Sequence, residues 1–221
     1  MVRASLLLLA TVALGACSML PDSNRQSRQP VRASQPAWNP TVSERQCLSQ
    51  LGTTQASFTP VPDQYYGAGC STVNTVRLSA LRSDQASLAL TNLGPVTCPL
   101  ATSFAGWARY GADRAARVLL GSPLVRIETF GSYNCRNVAG SSRRSAHATA
   151  NAIDISAFVL ADGRRISVKD GWNGGTAAER QFLRVVHQSA CKRFGTVLGP
   201  AYNAAHADHF HIEGEGNAFC R

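Results

Sequence analysis

The feature that most restricts the possible folds of this 221-residue chain is its cysteine set. Six cysteines follow the N-terminal leader: Cys47, Cys70, Cys98, Cys135, Cys191 and Cys220. An even number of cysteines in an exported protein indicates disulfides, so we expect three of them. None of the cysteines form a CxxC pair, which argues against a zinc site made of thiolates. The sequence does not determine the pairing, although Cys191 with Cys220 would tie the last helix to the C-terminus.

The first 16 residues predict a lipoprotein signal peptide. Arg3 supplies a short positive region, and residues 4–14 form an apolar stretch that is too short to span a bilayer. The sequence LGAC (14–17) is typical of a lipobox, in which Cys17 is lipidated and becomes the new N-terminus. The alternative is an ordinary secretory signal in which Cys17 is incidental. Because Ser18, not an aspartate, follows the cysteine, we expect a bacterial outer-membrane anchor that faces the periplasm.

The charge balance limits the classes of partner. The chain has 22 basic and 13 acidic residues, a net charge of +9 that falls by one when the leader is removed with Arg3. Basic and aromatic residues are not interleaved as in RNA-binding proteins, so we expect no nucleic acid partner. Anionic cell-wall polymer, above all peptidoglycan, and lipid headgroups are the partners that this charge favours. A solvated basic surface without any partner is the alternative.

Two regions follow the leader. Residues 17–44 are rich in Ser, Pro, Gln and Arg and predict a lipidated, flexible tether. Residues 45–221 have the length of a single domain with one core.

The domain mixes helical and strand patterns. Apolar spacing predicts a helix over 98–121 with Gly121 as its C-cap, and a second helix over 176–195 that begins at a Thr176–Glu179 capping box and ends at Gly195. Three further segments predict a strand leading into a loop, a hairpin with an Asp-Gly turn and a short final strand: 124–136, 150–169 and 209–214. This order predicts an α+β fold, with a small antiparallel sheet flanked by helices.

Four of the five histidines lie in two polar runs, HATANAID (147–154) and HADHFHIE (206–213). Strand alternation places Asp154 on the face opposite its isoleucine neighbours, and it places His209 and His211 on one face. If the two strands are neighbours, His147, Asp154 and His211 converge. Two imidazoles and one carboxylate suit one Zn²⁺ ion with a fourth position open to water, which is the arrangement of a catalytic site. Any one of these residues alone is more often a hydrogen-bonded structural residue.

Four stretches carry a resemblance to a known family: GSYNCR (131–136), SAHATANAIDISAF (145–158), LGPAYNAAHADHFHIE (198–213) and the terminal CR (220–221). They resemble the LAS zinc peptidases, which include lysostaphin-type endopeptidases and D-alanyl-D-alanine carboxypeptidases. Within that group they are most similar to the extensin-like C-terminal domain family of bacterial cell-envelope proteins. The resemblance implies a peptidase-like fold for residues 45–221 and a zinc site formed by His147, Asp154 and His211.

The same resemblance implies catalytic roles for three residues. Arg136 would stabilise the developing oxyanion, Asp208 would be the general base, and His209 would polarise the scissile carbonyl or stabilise the intermediate. Strand alternation puts Asp208 on the face opposite His209, so His209 or His206 is the alternative base. The family pattern has a glycine at the position of Ala150, so this chain departs from the pattern there.

Three further residues are candidates for substrate contact: Tyr133, Ser145 and Trp172. Tyr133 alternatively packs beneath the Arg136 loop, and Trp172 alternatively fills a gap in the core. We interpret His187, on the last predicted helix, as structural.

These features predict a zinc-dependent peptidase of the cell wall. The expected substrate is a peptidoglycan stem peptide or cross-link with a bond that involves D-alanine, and the anchor with its tether favours an endopeptidase over a carboxypeptidase. A wall-binding lipoprotein without catalytic activity is the alternative, and regulatory envelope proteins are possible further partners. A plant extensin-like structural role is excluded, because the chain has only 10 prolines and no repeat.

Overall fold

The computed structural model describes residues 39–214, 216 and 218–221. The predicted signal peptide, the lipidation of Cys17 and most of the tether lie outside these residues. The first helix, α1 (Val42–Thr53), begins within the predicted tether, because Thr41 and Glu44 form a capping box. The tether prediction is therefore wrong for its last three residues, which are helical.

Strands make up the centre of the domain. The described residues contain twelve of them: β1 (Ser57–Val61), β2 (Gln64–Gly67), β3 (Cys70–Thr72), β4 (Thr75–Arg82), β5 (Ser87–Thr91), β6 (Val96–Thr97), β7 (Leu124–Gly131), β8 (Ala152–Leu160), β9 (Arg165–Ser167), β10 (Thr196–Leu198), β11 (Phe210–Glu213) and β12 (Phe219–Cys220). Ten of these form one sheet in the order β1-β4-β5-β7-β8-β11-β10-β12, with β6 beside β4 and β9 beside β8. β2 and β3 form a separate hairpin.

The prediction of a small antiparallel sheet is wrong in two respects. The sheet is large because residues 57–97 contribute strands that we did not predict, although β4 has a partly alternating burial pattern. The sheet is also mixed, since β5 pairs parallel with β7 and β10 pairs parallel with β12. A parallel pair requires a long crossover, and the helical segment 98–120 provides it between β5 and β7.

The crossover is one continuous helical segment in three parts. It consists of α2 (Cys98–Trp107), a π-helical turn (Ala108–Asp113) and α3 (Arg114–Leu120), and Gly121 caps it in the left-handed conformation at φ 71°. The predicted helix and its glycine cap are confirmed, but the π-helical turn was not predicted. Gly111 lies in that turn, where a Cβ atom would stand 2.5 Å from Ser189 Oγ of the last helix. The turn therefore lies at a close helix–helix contact.

The C-terminal half contains two more helices, α4 (Val168–Gly174) and α5 (Ala177–Cys191). The capping box predicted at the start of α5 is confirmed. The prediction that Gly195 ends the helix is wrong, because α5 stops four residues earlier and the Gly195 amide donates to the carbonyls of Glu213 and Gly214. The predicted hairpin is confirmed as β8 and β9.

The core and the disulfides hold these elements together. Trp107 is fully buried against Phe104, Phe158 and Phe194, between the helices and the sheet. Within the described residues, the three disulfides are Cys47–Cys98, Cys70–Cys135 and Cys191–Cys220, so both the expected number and the one pair that we favoured are confirmed. None of the helices in the described residues has the length and apolar character needed to cross a membrane.

Candidate metal centre

Two neighbouring strands carry two of the predicted metal ligands. β8 and β11 pair antiparallel, in a register that sets His211 directly opposite Asp154. The residues on either side of them along each strand are buried in the core: Ile153, Ile155, Phe210 and Ile212. Because side chains alternate along a strand, Asp154 and His211 lie together on the other face of the sheet.

His147 reaches the same place from a 3₁₀ turn (Ala146–Thr149) that precedes β8. Ser145 begins the turn, and its hydroxyl accepts a hydrogen bond from the His147 amide at 3.4 Å. Ala150 ends the turn in the left-handed conformation, with φ 55°. An alanine there costs about 1–2 kcal/mol relative to a right-handed conformation, a cost that glycine avoids. The chain thus adopts with alanine a backbone geometry that glycine adopts more readily.

The three side chains are close enough to share one ion. His147 Nε2 lies 3.1 Å from Asp154 Oδ2 and 3.2 Å from His211 Nδ1, and His211 Nδ1 lies 2.8 Å from Asp154 Oδ1. One ligand atom from each residue lies within 4.8 Å of the other two. Two imidazole nitrogens and one carboxylate oxygen are donors that zinc accepts, so the set fits a metal site.

Each imidazole is held through the nitrogen that points away from the centre. His147 Nδ1 donates a hydrogen bond to the Ser132 carbonyl oxygen at 2.9 Å, which leaves Nε2 towards the other ligands. His211 Nε2 donates to Glu213 Oε1 at 2.9 Å, which leaves Nδ1 towards them. Such outer partners fix the tautomer and orientation of metal-binding histidines.

The charged groups of the cluster shift one another's pKa values. Burial opposes ionisation of Asp154, but hydrogen bonds from His147 and His211 outweigh it and lower the pKa of the carboxyl far below its usual range. Burial also opposes protonation of His211, but hydrogen bonds to Asp154 and Glu213 raise its pKa to about 9. The pKa of Glu213 is lowered, chiefly by its hydrogen bond from His211. Asp154 and Glu213 are therefore carboxylates at neutral pH.

His209 forms a second layer beside the three ligand candidates. Its Nδ1 donates to Asp208 Oδ1 at 2.8 Å, and its Nε2 lies 3.5 Å from Asp154 Oδ1. The Phe130 ring packs edge-on against it at 5.8 Å between centroids. Asp208 thus contacts the histidine that faces the centre, in a turn immediately before β11.

His206 also lies at the centre. Its ring is 5.2 Å from the His209 ring and 5.8 Å from the His211 ring, between centroids. Burial, followed by the charges of His209 and His211, lowers the pKa of His206 to about 4. His206 is therefore neutral above that pH.

The centre opens into a cavity of about 670 Å³. Its lining includes Arg136, Ser145, Asp154, His206, His209 and His211. The cavity gives a ligand access to the candidate metal site.

Two predicted substrate contacts lie elsewhere. Trp172 is 5% exposed and packs against His187 and Phe210, with the Arg184 guanidinium 3.6 Å from its ring centre. This geometry fits the alternative in which Trp172 fills the core. Tyr133 is half-buried and packs against Tyr66 of β2 at 5.4 Å between ring centroids, outside the cavity lining.

A second group of possible metal-binding side chains consists of His187, Cys191 and Cys220. The two cysteines form a disulfide, so their sulfurs are not thiolate ligands. His187 is buried, and its Nε2 lies 3.2 Å from the Arg221 carbonyl oxygen. Its contacts are those of a packed core residue.

Sequence reasoning missed several residues of the site. Glu213 was within reach, because it lies two residues after His211 and therefore on the same strand face. No such signal marked Ser132, Arg143, Tyr202 or Phe219. Loop contacts and the pairing of β12 with β10 bring these residues to the site.

One comparison with known proteins is informative. Residues 45–221 match the family model described as "Extensin-like protein C-terminus". No curated protein matches the chain significantly. Because the family model covers most of the chain, the protein belongs to the extensin-like C-terminal family.

Proposed function

We propose that this extensin-like domain is a zinc-dependent peptidase of the bacterial cell envelope, which hydrolyses stem-peptide or cross-link bonds of peptidoglycan. The observation that carries the proposal is the convergence of His147, Asp154 and His211, with ligand atoms within 4.8 Å of one another, beside an open cavity. A structural zinc site is usually closed by four protein ligands, whereas three ligands beside a cavity suit catalysis.

The three ligands define what a metal would add. A zinc ion held by His147 Nε2, Asp154 and His211 Nδ1 would supply a Lewis acid that polarises a carbonyl and acidifies water. Ser132 and Glu213 would keep the two imidazoles in the required tautomers.

Side chains around the three ligands would carry out proton transfer and stabilise the developing negative charge. Asp208 holds Nδ1–H of His209, so His209 Nε2 is oriented to accept a proton at the centre and to return it to the leaving amine. Arg136 lines the cavity and supplies a guanidinium that stabilises negative charge developing on the scissile carbonyl oxygen. This assignment makes His209 the proton carrier and Asp208 the residue that orients it.

Several features support a substrate in the cell wall. Three disulfides favour an oxidising compartment such as the periplasm. The net charge of +9 favours a polyanionic surrounding. A lipid on Cys17 and a tether before the domain would place it at the outer membrane within reach of the wall, where regulatory envelope proteins are possible partners. A bond that involves D-alanine, cut by an endopeptidase, remains the expected reaction.

The test is a digest of purified peptidoglycan with residues 18–221, with disulfides intact and zinc added. Mass spectrometry of the released muropeptides should show loss of cross-linked dimers or of terminal alanine. The products should be absent with a chelator and with His211→Ala. Unchanged muropeptides, with the protein still sedimenting with the wall, would instead identify a wall-binding module without catalytic activity.

A further inference from the structure

One wall of the cavity is a short hairpin formed by residues 136–145, which we call the site hairpin. Asn137 and Arg144 form an antiparallel bridge, Val138 N donates to Arg143 O at 2.9 Å, and Ser145 N donates to Arg136 O at 3.1 Å. This register pairs residue 136 with 145 and residue 138 with 143.

The register sorts the side chains of the site hairpin onto two faces. Arg144 and Asn137 share the outer face, where Arg144 Nη1 donates to Asn137 Oδ1 at 2.8 Å and Arg144 Nε donates to the Ala68 carbonyl at 2.6 Å. The inner face carries Arg136 and Arg143, and both line the cavity. Arg143 is therefore directed towards the site by the same alternation that directs Arg136.

Arg136 and Arg143 are diagonal neighbours on this face, which separates their α-carbons by about 7–8 Å. Among the described residues, no carboxylate lies within 4.0 Å of either guanidinium. The carboxylates that line the cavity, Asp154 and Glu213, are held by histidines, and the charge of Arg143 makes only a minor contribution to the lowered pKa of Glu213. The cavity wall thus presents two guanidinium groups to a ligand.

The cavity lining also includes two aromatic side chains. Tyr202 and Phe219 pack edge-on at 5.7 Å between ring centroids, and each is more than 40% exposed. A ligand in the cavity therefore meets both aromatic surface and two cations. An anionic peptide meets both requirements.

We propose that Arg143 determines specificity, because it binds a free carboxylate of the substrate that is separate from the scissile carbonyl facing Arg136. The inference rests on the proposed function for the position of the scissile bond. The site accordingly selects peptides with an acidic side chain within two residues of that bond over the same peptides with the group amidated. Guanidinium–carboxylate pairing is charge-assisted and directional, so an uncharged amide is a poor replacement.

The test uses two synthetic pentapeptides that end in D-Ala-D-Ala. They differ only in the residue before that pair, which has either a free side-chain carboxylate or its primary amide. The zinc-loaded wild type should cleave the acid with a kcat/KM about tenfold higher than the amide, a conservative value for one charged hydrogen bond. Arg143→Gln should bring the ratio close to one, whereas Arg143→Lys should keep part of it. Arg77→Gln removes one charge from an exposed residue of β4 outside the cavity, and it should keep the wild-type ratio.

Binding of the matching tripeptides, which lack the D-Ala-D-Ala pair, separates this inference from the proposed function. Calorimetry should show about tenfold tighter binding of the acid than of the amide, lost in Arg143→Gln. If neither peptidoglycan nor the pentapeptides are cleaved but this binding preference holds, the peptidase proposal fails and the role of Arg143 stands. If acid and amide are cleaved and bound equally by the wild type, the role of Arg143 is overturned and the peptidase proposal stands.

Discussion

Glu213 accepts a hydrogen bond from His211 Nε2 at 2.9 Å, on the side of the imidazole that faces away from Asp154. The two residues lie on the same face of β11, two positions apart. The contact determines which nitrogen of His211 is available to a metal. It therefore makes a metal-binding prediction that does not depend on catalysis.

Glu213→Leu should weaken zinc binding by about 10–100-fold, the usual effect of losing a hydrogen-bond partner of a metal-binding histidine. Glu213→Gln keeps an acceptor oxygen and should weaken zinc binding less. Competition with a chromophoric chelator at fixed pH measures both affinities. Glu179→Gln, which changes a carboxylate at the start of α5, is the control and should bind zinc like the wild type. Wild-type affinity in the Leu variant would show that Glu213 does not support the site.

The candidate site was easier to predict from the sequence than the sheet that carries it. The chain has only five histidines, and two of them with one aspartate form the ligand set His147, Asp154 and His211. Strand alternation and the ligand types that zinc accepts were enough to group these three residues. The pairing of β8 with β11 confirms the condition on which that grouping depended. The helix over 98–120 and the start of α5 were also readable, because glycine caps and capping boxes are local signals.

The rest depends on contacts between distant segments. The parallel pairing of β5 with β7 joins residues across the whole crossover helix, and no local pattern encodes it. Arg143 faces the cavity because of the site hairpin's register, which the Asn137–Arg144 bridge and two backbone hydrogen bonds define and sequence alternation does not reveal. Trp172 is similar: its sequence context resembles an exposed loop, but the packing of α4 on α5 buries it.

The contact between His209 and Asp208 predicts an unequal pair of catalytic losses. His209→Ala should lower kcat by about 10²–10⁴-fold, the usual contribution of general acid–base catalysis. Asp208→Asn should cause a smaller loss, because its amide oxygen still accepts a hydrogen bond from His209 Nδ1. Both variants should bind zinc like the wild type, as measured by chelator competition, since neither residue belongs to the ligand triad.

The opposite order of losses would return the role of general base to Asp208. Equal activity of the wild type and His209→Ala would remove His209 from the mechanism.

The Cys70–Cys135 disulfide joins the β2–β3 hairpin to the residue before Arg136. Replacing both cysteines by serine should lower the free energy of unfolding by about 2–5 kcal/mol. It should also lower peptide hydrolysis, because the base of the site hairpin loses its covalent attachment. Zinc affinity should stay close to that of the wild type, since β8, β11 and the 3₁₀ turn hold the ligands.

The double variant of Cys47 and Cys98 is the matched control for this prediction. It also lacks one disulfide, but that disulfide ties α1 to the start of α2, and neither cysteine lines the cavity. The control should lose stability and keep the wild-type kcat/KM at temperatures where it is folded. Equal losses of activity in the two double variants would show that the Cys70–Cys135 disulfide acts through overall stability alone.

Asp84 predicts how the domain responds to acid. Its carboxylate, in the turn between β4 and β5, accepts hydrogen bonds at 2.8 Å from Nε of both Arg114 and Arg109. These contacts lower the pKa of Asp84 from 3.8 to about 2, with the Arg114 bond as the largest cause.

A carboxyl group with a lowered pKa in the folded state stabilises that state above its unfolded pKa, and this contribution disappears as the pH falls through the folded pKa. The stability difference between the wild type and Asp84→Asn should therefore be present at pH 6 and should shrink between about pH 4 and pH 2. Urea unfolding of both proteins across this range measures it, and Arg114→Gln should move the loss to higher pH by raising the pKa of Asp84. A difference that stays constant down to about pH 2 would show that the carboxylate's charge does not contribute to stability.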